Sequence, residues 1–363
     1  MHKHLRKETM MKLPKKIVGL LVSVVFLSLS LSFSLGAKAS ELNFGISPVI
    51  PENQRDQSES YFDLNVLNQK KQILELKVAN RTEKVVTIET DLKRATTNVN
   101  GIVEYGENEN NTDESLKINI EDIVTVLDKE KVLEPNSEDV IRIEIKAINP
   151  EFPGVLASGL TFKEKPNEGE EEQQEEQGLA IKNEYAYVVA LLLQGNVLQK
   201  DITSELLLNS VQPDQLNYRN VIVANLQNPL PKYLNKIKID GQVTKKGKTE
   251  SLYSIKKENL QFAPNSNVDF PIPLEGDKLK AGTYELTLDV VSDSGKWHFT
   301  KEFTVTAEKA KALNKQDVSI EENNNWLYLL VIVISLLLIA SLVMLLIMGR
   351  KNRKNKKNSE KNT

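Results

Sequence analysis

The sequence contains no cysteine. That removes disulfides, thiolate nucleophiles and thiolate metal sites together. Histidine is almost as scarce, and His2 and His4 fall in a segment read below as a leader. The remaining one, His298, cannot by itself supply a two-histidine zinc site or a Ser-His-Asp arrangement. No glycine-rich phosphate loop and no nucleophile-elbow pattern occurs. Carboxylates are so abundant that no pair of them stands out for glycoside chemistry. The chain is therefore read as a non-enzyme with no cofactor and no metal site. What is present is apolar content of 40%, enough for packed cores, in a length of 363 residues that allows roughly two domains with appendages.

Both ends carry long apolar runs. Lys3, Arg6, Lys7, Lys12, Lys15 and Lys16 precede an apolar stretch from Ile17 to Leu35, and Ala37-Lys38-Ala39 fits a small-x-small cleavage box. The pattern reads as a secretory signal with the mature chain starting near Ser40, against the alternative of an uncleaved anchor. Leu327 to Met348 is free of charge, and as a helix it would span roughly 33 Å. Trp326 and Tyr328 mark its outer end, and Arg350, Lys351, Arg353, Lys354, Lys356 and Lys357 follow its inner end. The positive-inside rule then places the tail in the cytoplasm and the body outside, in a single-pass cell-membrane protein. The chain lacks an LPxTG sorting signal, so it is expected to stay in the membrane.

Of the formal net charge of −3, residues 1–39 and residues 350–363 contribute +6 each, which leaves −15 between them. So acidic a body argues against nucleic acid or wall phosphate as the main ligand. It suits a soluble body in a polyanionic wall, or a basic protein partner.

Between the ends, period-2 alternation dominates. Leu74, Leu76 and Val78 alternate with Glu75 and Lys77, Val86 and Ile88 with Thr87 and Glu89, and Ile141, Ile143 and Ile145 with Arg142 and Glu144. Further on, Ile237 and Ile239 alternate with Lys236 and Lys238, and Tyr284, Leu286, Leu288 and Val290 with Glu285, Thr287 and Asp289. Tyr185 to Leu193 is a continuous apolar run, as in a fully buried strand. Turns fall at Asn80-Arg81-Thr82, Asn100-Gly101, Asn228-Pro229 and Asp293-Ser294-Gly295. Trp297 and Phe299 share a phase that suits core packing, and His298 points the other way, to solvent. Between the two halves, Glu168 to Gln177 holds only Glu, Gln and Gly, and it lacks the spaced pattern of a calcium loop. The expected fold class is all-β, with two immunoglobulin-like antiparallel β-sandwich domains and one C-terminal transmembrane helix. The layout is a signal peptide at 1–39, a sandwich at 40–165, an acidic linker at 166–178 and a second sandwich at 179–307. A stalk at 308–326, a membrane helix at 327–348 and a basic tail at 349–363 complete it.

Several short stretches resemble one family. Phe44-Gly45-Ile46-Ser47-Pro48, Pro51-Glu52-Asn53-Gln54, Tyr61-Phe62-Asp63-Leu64 and Lys93 to Gly101 with Tyr105 are similar to the first domain of the WxL-interacting proteins of Gram-positive bacteria. Asn183 to Tyr187, Ala263-Pro264-Asn265-Ser266, Ala281 to Tyr284 and Lys296 to Phe299 are similar to their second. The resemblance implies a first domain that binds peptidoglycan and a second associated with host proteins. It also implies a WxL-domain surface protein as partner, in a membrane-held surface complex. Where the family has a Leu-Gly-Gly run, this chain has Leu156-Ala157-Ser158-Gly159-Leu160, which puts a close backbone approach there in question.

For ligand contact, Thr97, Asn98, Asn100, Gly101 and Tyr105 are the candidates: short polar side chains beside an aromatic ring suit sugar hydroxyls and N-acetyl groups. The same residues also fit a plain polar hairpin turn with positive φ. The function expected is tethering of peptidoglycan, a WxL-domain protein and host extracellular protein by one membrane-held chain. The alternative is an assembly chaperone or receptor for secreted surface subunits.

Overall fold

The computed structural model describes residues 42–66, 70–106, 112–148, 151–166, 185–320 and 325–359. The expected signal peptide at 1–39, nearly all of the acidic linker, the end of the stalk and the last tail residues lie outside them.

Alternation becomes strands wherever it was read. The first half forms β1 (Phe44–Val49), β2 (Phe62–Asn65), β3 (Gln72–Asn80), β4 (Val86–Arg94), β5 (Thr96–Thr97) and β6 (Val103–Glu104). It continues with α1 (Ile120–Ile123), β7 (Val124–Val126), β8 (Glu130–Leu133), β9 (Glu138–Ile145), β10 (Val155–Glu164) and β11 (Ala186–Gln194). One sheet has the order β1-β3-β9-β7 and the other β2-β11-β10-β4-β8. In the first sheet Leu74 stands opposite Ile143 and Leu76 opposite Ile141, and all four are buried. Phe62, Leu64, Ile88, Leu160, Phe162, Leu191 and Leu193 meet them from the second sheet.

Three expectations about this half need correcting. The sandwich is not wholly antiparallel, because β2 runs parallel to β11. The boundary at 179 also misplaces β11: the strand pairs with β10 from Val155–Gln194 through Lys163–Ala186. Only the C-terminal part of the run is buried, at Val189, Leu191 and Leu193, while Tyr185, Tyr187 and Val188 are exposed, so the strand is not fully buried as its apolar run suggested. The acidic stretch thus falls between two paired strands of one sheet. The crossing between sandwiches comes later, after Gln194, through a 3₁₀ turn at Gln199–Asp201.

The second half forms β12 (Leu207–Leu216), β13 (Arg219–Asn228), β14 (Leu234–Lys245), β15 (Ser251–Phe262), β16 (Ser266–Pro273), β17 (Gly282–Val291) and β18 (Lys296–Val305). Its sheets are β12-β13-β16 and β15-β14-β17-β18, three strands on four. Phe262, Phe270, Ile272, Leu286, Leu288 and Val290 fill the space between them. Trp297 and Phe299 pack on this core half-buried. His298 faces solvent, with Nδ1 2.7 Å from Asp289.

Part of the expected stalk folds onto the second sandwich. In α2 (Ala307–Gln316), Thr306 caps the N-terminus by accepting from the Lys309 N–H at 3.1 Å. Ala310 and Leu313 lie in the sandwich core. The three-residue spacing puts both on one helical face, and burying that face outweighs leaving the helix in solvent. Beyond it, the Val318 N–H donates to the Tyr218 carbonyl at 3.0 Å.

Helix α3 (Asn325–Ser359) carries the C-terminal apolar run. Residues 328–344, 347 and 348 are exposed. Counted over described residues alone, no helix is long and apolar enough to cross a membrane.

Candidate functional site

On β4 and β10 the residues out of phase with the core form an outward face. Glu89, Asp91 and Lys93 stand opposite Lys163, Thr161 and Gly159, respectively. The chain returning from the β5–β6 hairpin lays Tyr105 across this face. A Cβ on Gly159 would sit 2.5 Å from the Tyr105 ring, so the close approach requires glycine. Ser158, the departure noted in the sequence, points the other way. It is buried and its hydroxyl donates to the Leu191 carbonyl at 3.0 Å. The glycine that the close approach needs is thus retained.

Beside the ring is a groove of about 450 Å³, lined by Glu89, Thr90, Asp91 and Lys93 of β4, Thr161 and Lys163 of β10, Lys129 and Glu130, with Tyr105 and Gly106 at its rim. Lys165 bridges Glu130 at 2.9 Å and Glu89 at 3.5 Å. Its hydrogen bond to Glu130 and the charge of that carboxylate raise its pKa. Lys93 pairs with Asp91 at 3.1 Å. At its inner end the ring packs on the cluster of Ala95, Ala157 and Ala263, which Leu192 and Tyr233 also cover. Burial, and after it the Tyr105 charge and hydrogen bond, hold the Tyr233 hydroxyl well above the ordinary tyrosine range. The groove is one aromatic face beside alternating carboxylate, ammonium and hydroxyl groups. Such a surface can stack on a sugar ring and hydrogen-bond its substituents. Among the described residues no three His, Asp or Glu side chains cluster to hold a metal ion.

The same hairpin also feeds a seam between the sandwiches. Asn98 shapes the turn: its carbonyl accepts the Gly101 N–H at 2.8 Å, and its side-chain oxygen accepts those of Asn100 and Ile102. Gly101 has φ +72°. Its carbonyl accepts the Gln261 N–H at 2.9 Å, and its α-carbon faces Leu260. Thr97 Oγ1 accepts the Ala263 N–H at 2.9 Å and lies 3.0 Å from Ser266 Oγ. Gln227 and Asn267 each donate to Asp113 at 2.8 Å, and Asn265 donates to Ser115 at 3.1 Å. Burial raises the Asp113 pKa, but the bonds from Asn267, Ser115 and Gln227 together outweigh it and hold the carboxyl below its ordinary value. At the other end the Val155 N–H donates to the Pro231 carbonyl at 2.9 Å.

Of the five candidates, then, Tyr105 lines the groove and Thr97 and Gly101 are held in the seam. Asn98 lies inside the turn, where it also donates to Glu104 at 3.1 Å, and Asn100 is exposed at its tip. The sequence reading missed Gly159, Asp91 and Thr161. For Asp91 the signal was there, in the outward phase of a strand whose inward phase was read as core; β10, which carries Gly159 and Thr161, was not read as an alternating strand.

Residues 44–164 match the family model described as WxL Interacting Protein, peptidoglycan binding domain, and residues 176–315 match that of the host binding domain. The second match begins before β11, a strand that belongs structurally to the first sandwich. No curated protein matches the chain. Among solved structures, the YadV chaperone is 11% identical, with a TM-score of 0.28 over 72% of this chain and 100% of its own. The CupB2 chaperone of Pseudomonas aeruginosa is 15% identical, with a TM-score of 0.24 over 66% of this chain and 94% of its own. The E. coli chaperone DraB is 15% identical, with a TM-score of 0.26 over 72% and 98%. Scores this low carry no argument.

Proposed function

We propose, from the premise that this chain belongs to the WxL-interacting protein family, that it is a membrane-held tether whose first sandwich binds peptidoglycan in the Tyr105 groove. The observation that carries the reading is the ring laid on Gly159 beside a polar groove, inside the segment matching the peptidoglycan-binding model. Stacking by Tyr105 orients the sugar, and Asp91, Thr161 and the lysines take its hydroxyl and amide groups. The test is co-sedimentation of the full chain in detergent with purified sacculi. Tyr105→Ala should weaken pelleting about tenfold, the order expected for an aromatic anchor, measured well below the melting temperature of the variant, which loses the ring's packing on Ala95, Ala157 and Ala263. Unweakened pelleting by that variant would put peptidoglycan elsewhere.

The second sandwich takes the protein partners, a WxL-domain surface protein and a host extracellular protein. Three features of its edges support strand addition. Pro213 sits in β12, and Pro271 and Pro273 in β16, on the edges of the three-stranded sheet. Lys301 of β18 reaches the Leu208 and Asn209 carbonyls. That leaves β15 as the open edge over the part before Gln261, whose N–H is taken by Gly101. Added WxL-domain protein should slow hydrogen exchange along β15; exchange unchanged there sinks the edge assignment.

Anchoring follows from α3. An exposed apolar surface from Tyr328 to Met344 has no reason to stay in water, and the basic residues after it orient the body outward. The location is thus the cell membrane, single-pass, with the N-terminal body facing the wall. Membrane attachment adds effective concentration to each domain without new contacts. Resistance of the chain to alkaline extraction from membranes checks it, and release into the wash refutes it.

A further inference from the structure

The acidic body contains one basic cleft that the tether reading does not use. It lies between α2 and the segment before β17, encloses about 580 Å³, and is lined by Lys278, Lys311 and Lys315 over a floor that includes Ala281, Ala307 and Ala310. The small floor residues keep it open. Its walls are pinned together: Asn314 accepts the Leu279 N–H and donates to the Leu279 carbonyl, both at 2.8 Å.

The charges are arranged as a site is. Lys311 and Lys315 stand four apart on one helical face, a like-charge spacing that costs stability when nothing lies between. No carboxylate among the described residues pairs with any of the three lysines. The acid in the lining, Asp317, keeps its charge and offsets part of the lysines', but its oxygens are turned to neutral donors of the protein. It accepts the Asn220 N–H at 2.8 Å and the Ser319 N–H and hydroxyl at 2.7 and 2.6 Å. Three exposed lysines lining one cleft bring ammonium point charges of the kind suited to phosphate. The cleft offers neither an arginine fork for a carboxylate nor a long apolar wall for a peptide.

Its position names where the phosphate lies. Ile320 lines the cleft and α3 begins at Asn325, so at most roughly 17 Å of chain separates them. We infer that this cleft binds a phosphate ester anion at the membrane surface, a lipid headgroup or a polyol phosphate, and fixes the second sandwich against the bilayer. The inference rests on the anchoring reading above.

The test is lysine acylation footprinting of the full chain in nanodiscs of phosphatidylcholine, with and without phosphatidylglycerol, and with added soluble glycerol phosphate. Each lysine beside an anionic surface strengthens association about fivefold. Labelling of Lys278, Lys311 and Lys315 should therefore fall severalfold while the exposed Lys248 is unchanged. Protection by phosphatidylglycerol alone assigns the lipid headgroup, and protection by glycerol phosphate in neutral discs assigns the free ester. Equal labelling in all arms overturns the inference, as does protection of Lys278 that survives in Lys311→Glu/Lys315→Glu. A chain that stays out of the discs overturns anchoring instead, and the glycerol phosphate arm in detergent then decides the cleft by itself.

Discussion

The groove and the seam draw on the same short hairpin and use it in opposite ways. In the seam, Thr97 and Gly101 are buried, and their polar atoms are paired with Ala263, Ser266 and Gln261 of the other sandwich. In the groove, Tyr105 lies half-exposed over Gly159 among charged groups that reach solvent. Residue type does not separate the two. What separates them is whether each polar group has spent its hydrogen bonds on the protein. A satisfied, buried group stabilises a fixed arrangement, and an exposed one remains available to a ligand.

The sharpest way to break the comparison is at the seam. Gly154 has φ +69°, and a Cβ there would run into the Pro231 carbonyl, which cannot move aside as a side chain does. Gly154→Ala should cost about 3 kcal/mol and split calorimetric unfolding into two transitions, one per sandwich. A single unshifted transition would mean that the seam does not couple them. Thr97→Val is milder. It strands the buried Ala263 N–H, at about 1–3 kcal/mol, and should leave sacculus pelleting unchanged. If pelleting falls with it, Thr97 touches the ligand after all.

Asp113 sharpens the same point through pH. Its carboxyl is depressed in the folded chain, so the charged form is the stabilising one. That stability is fully present above about pH 4, the ordinary aspartate range, and is lost as pH falls through the folded value. The melting difference between the native chain and Asp113→Asn should accordingly shrink on acidification, and a gap that widens would reverse the assignment. The smallest effect belongs to the groove. Tyr105→Phe keeps the ring on Gly159 and loses only the contact with Tyr233, so pelleting should hold within about threefold, corresponding to one ordinary hydrogen bond.

Much of this was readable beforehand. The inward phases at Ile141, Ile143 and Ile145 and at Tyr284, Leu286, Leu288 and Val290 became core strands as their alternation required. The Asn98–Gly101 turn was legible from Asn and Gly alone. The groove was half legible: Tyr105 was identified, but Gly159 gains its meaning only when a ring from another segment lies on it. The acidic run looked like a domain boundary because nothing in it can dock. Yet a sheet can accept a long insertion between neighbouring strands at little entropic cost.

By itself the sequence determined which segments are strands, which side of each faces the core, and that both ends carry long apolar runs. Those properties are local, set by a period of two residues or by an uninterrupted run. Only the tertiary structure decided that β11 completes the first sandwich, that Thr97 and Gly101 meet the second, and that Lys278 lines one cleft with Lys311 and Lys315. Each is a choice of partner distant in the chain, and it depends on which surfaces bury best together.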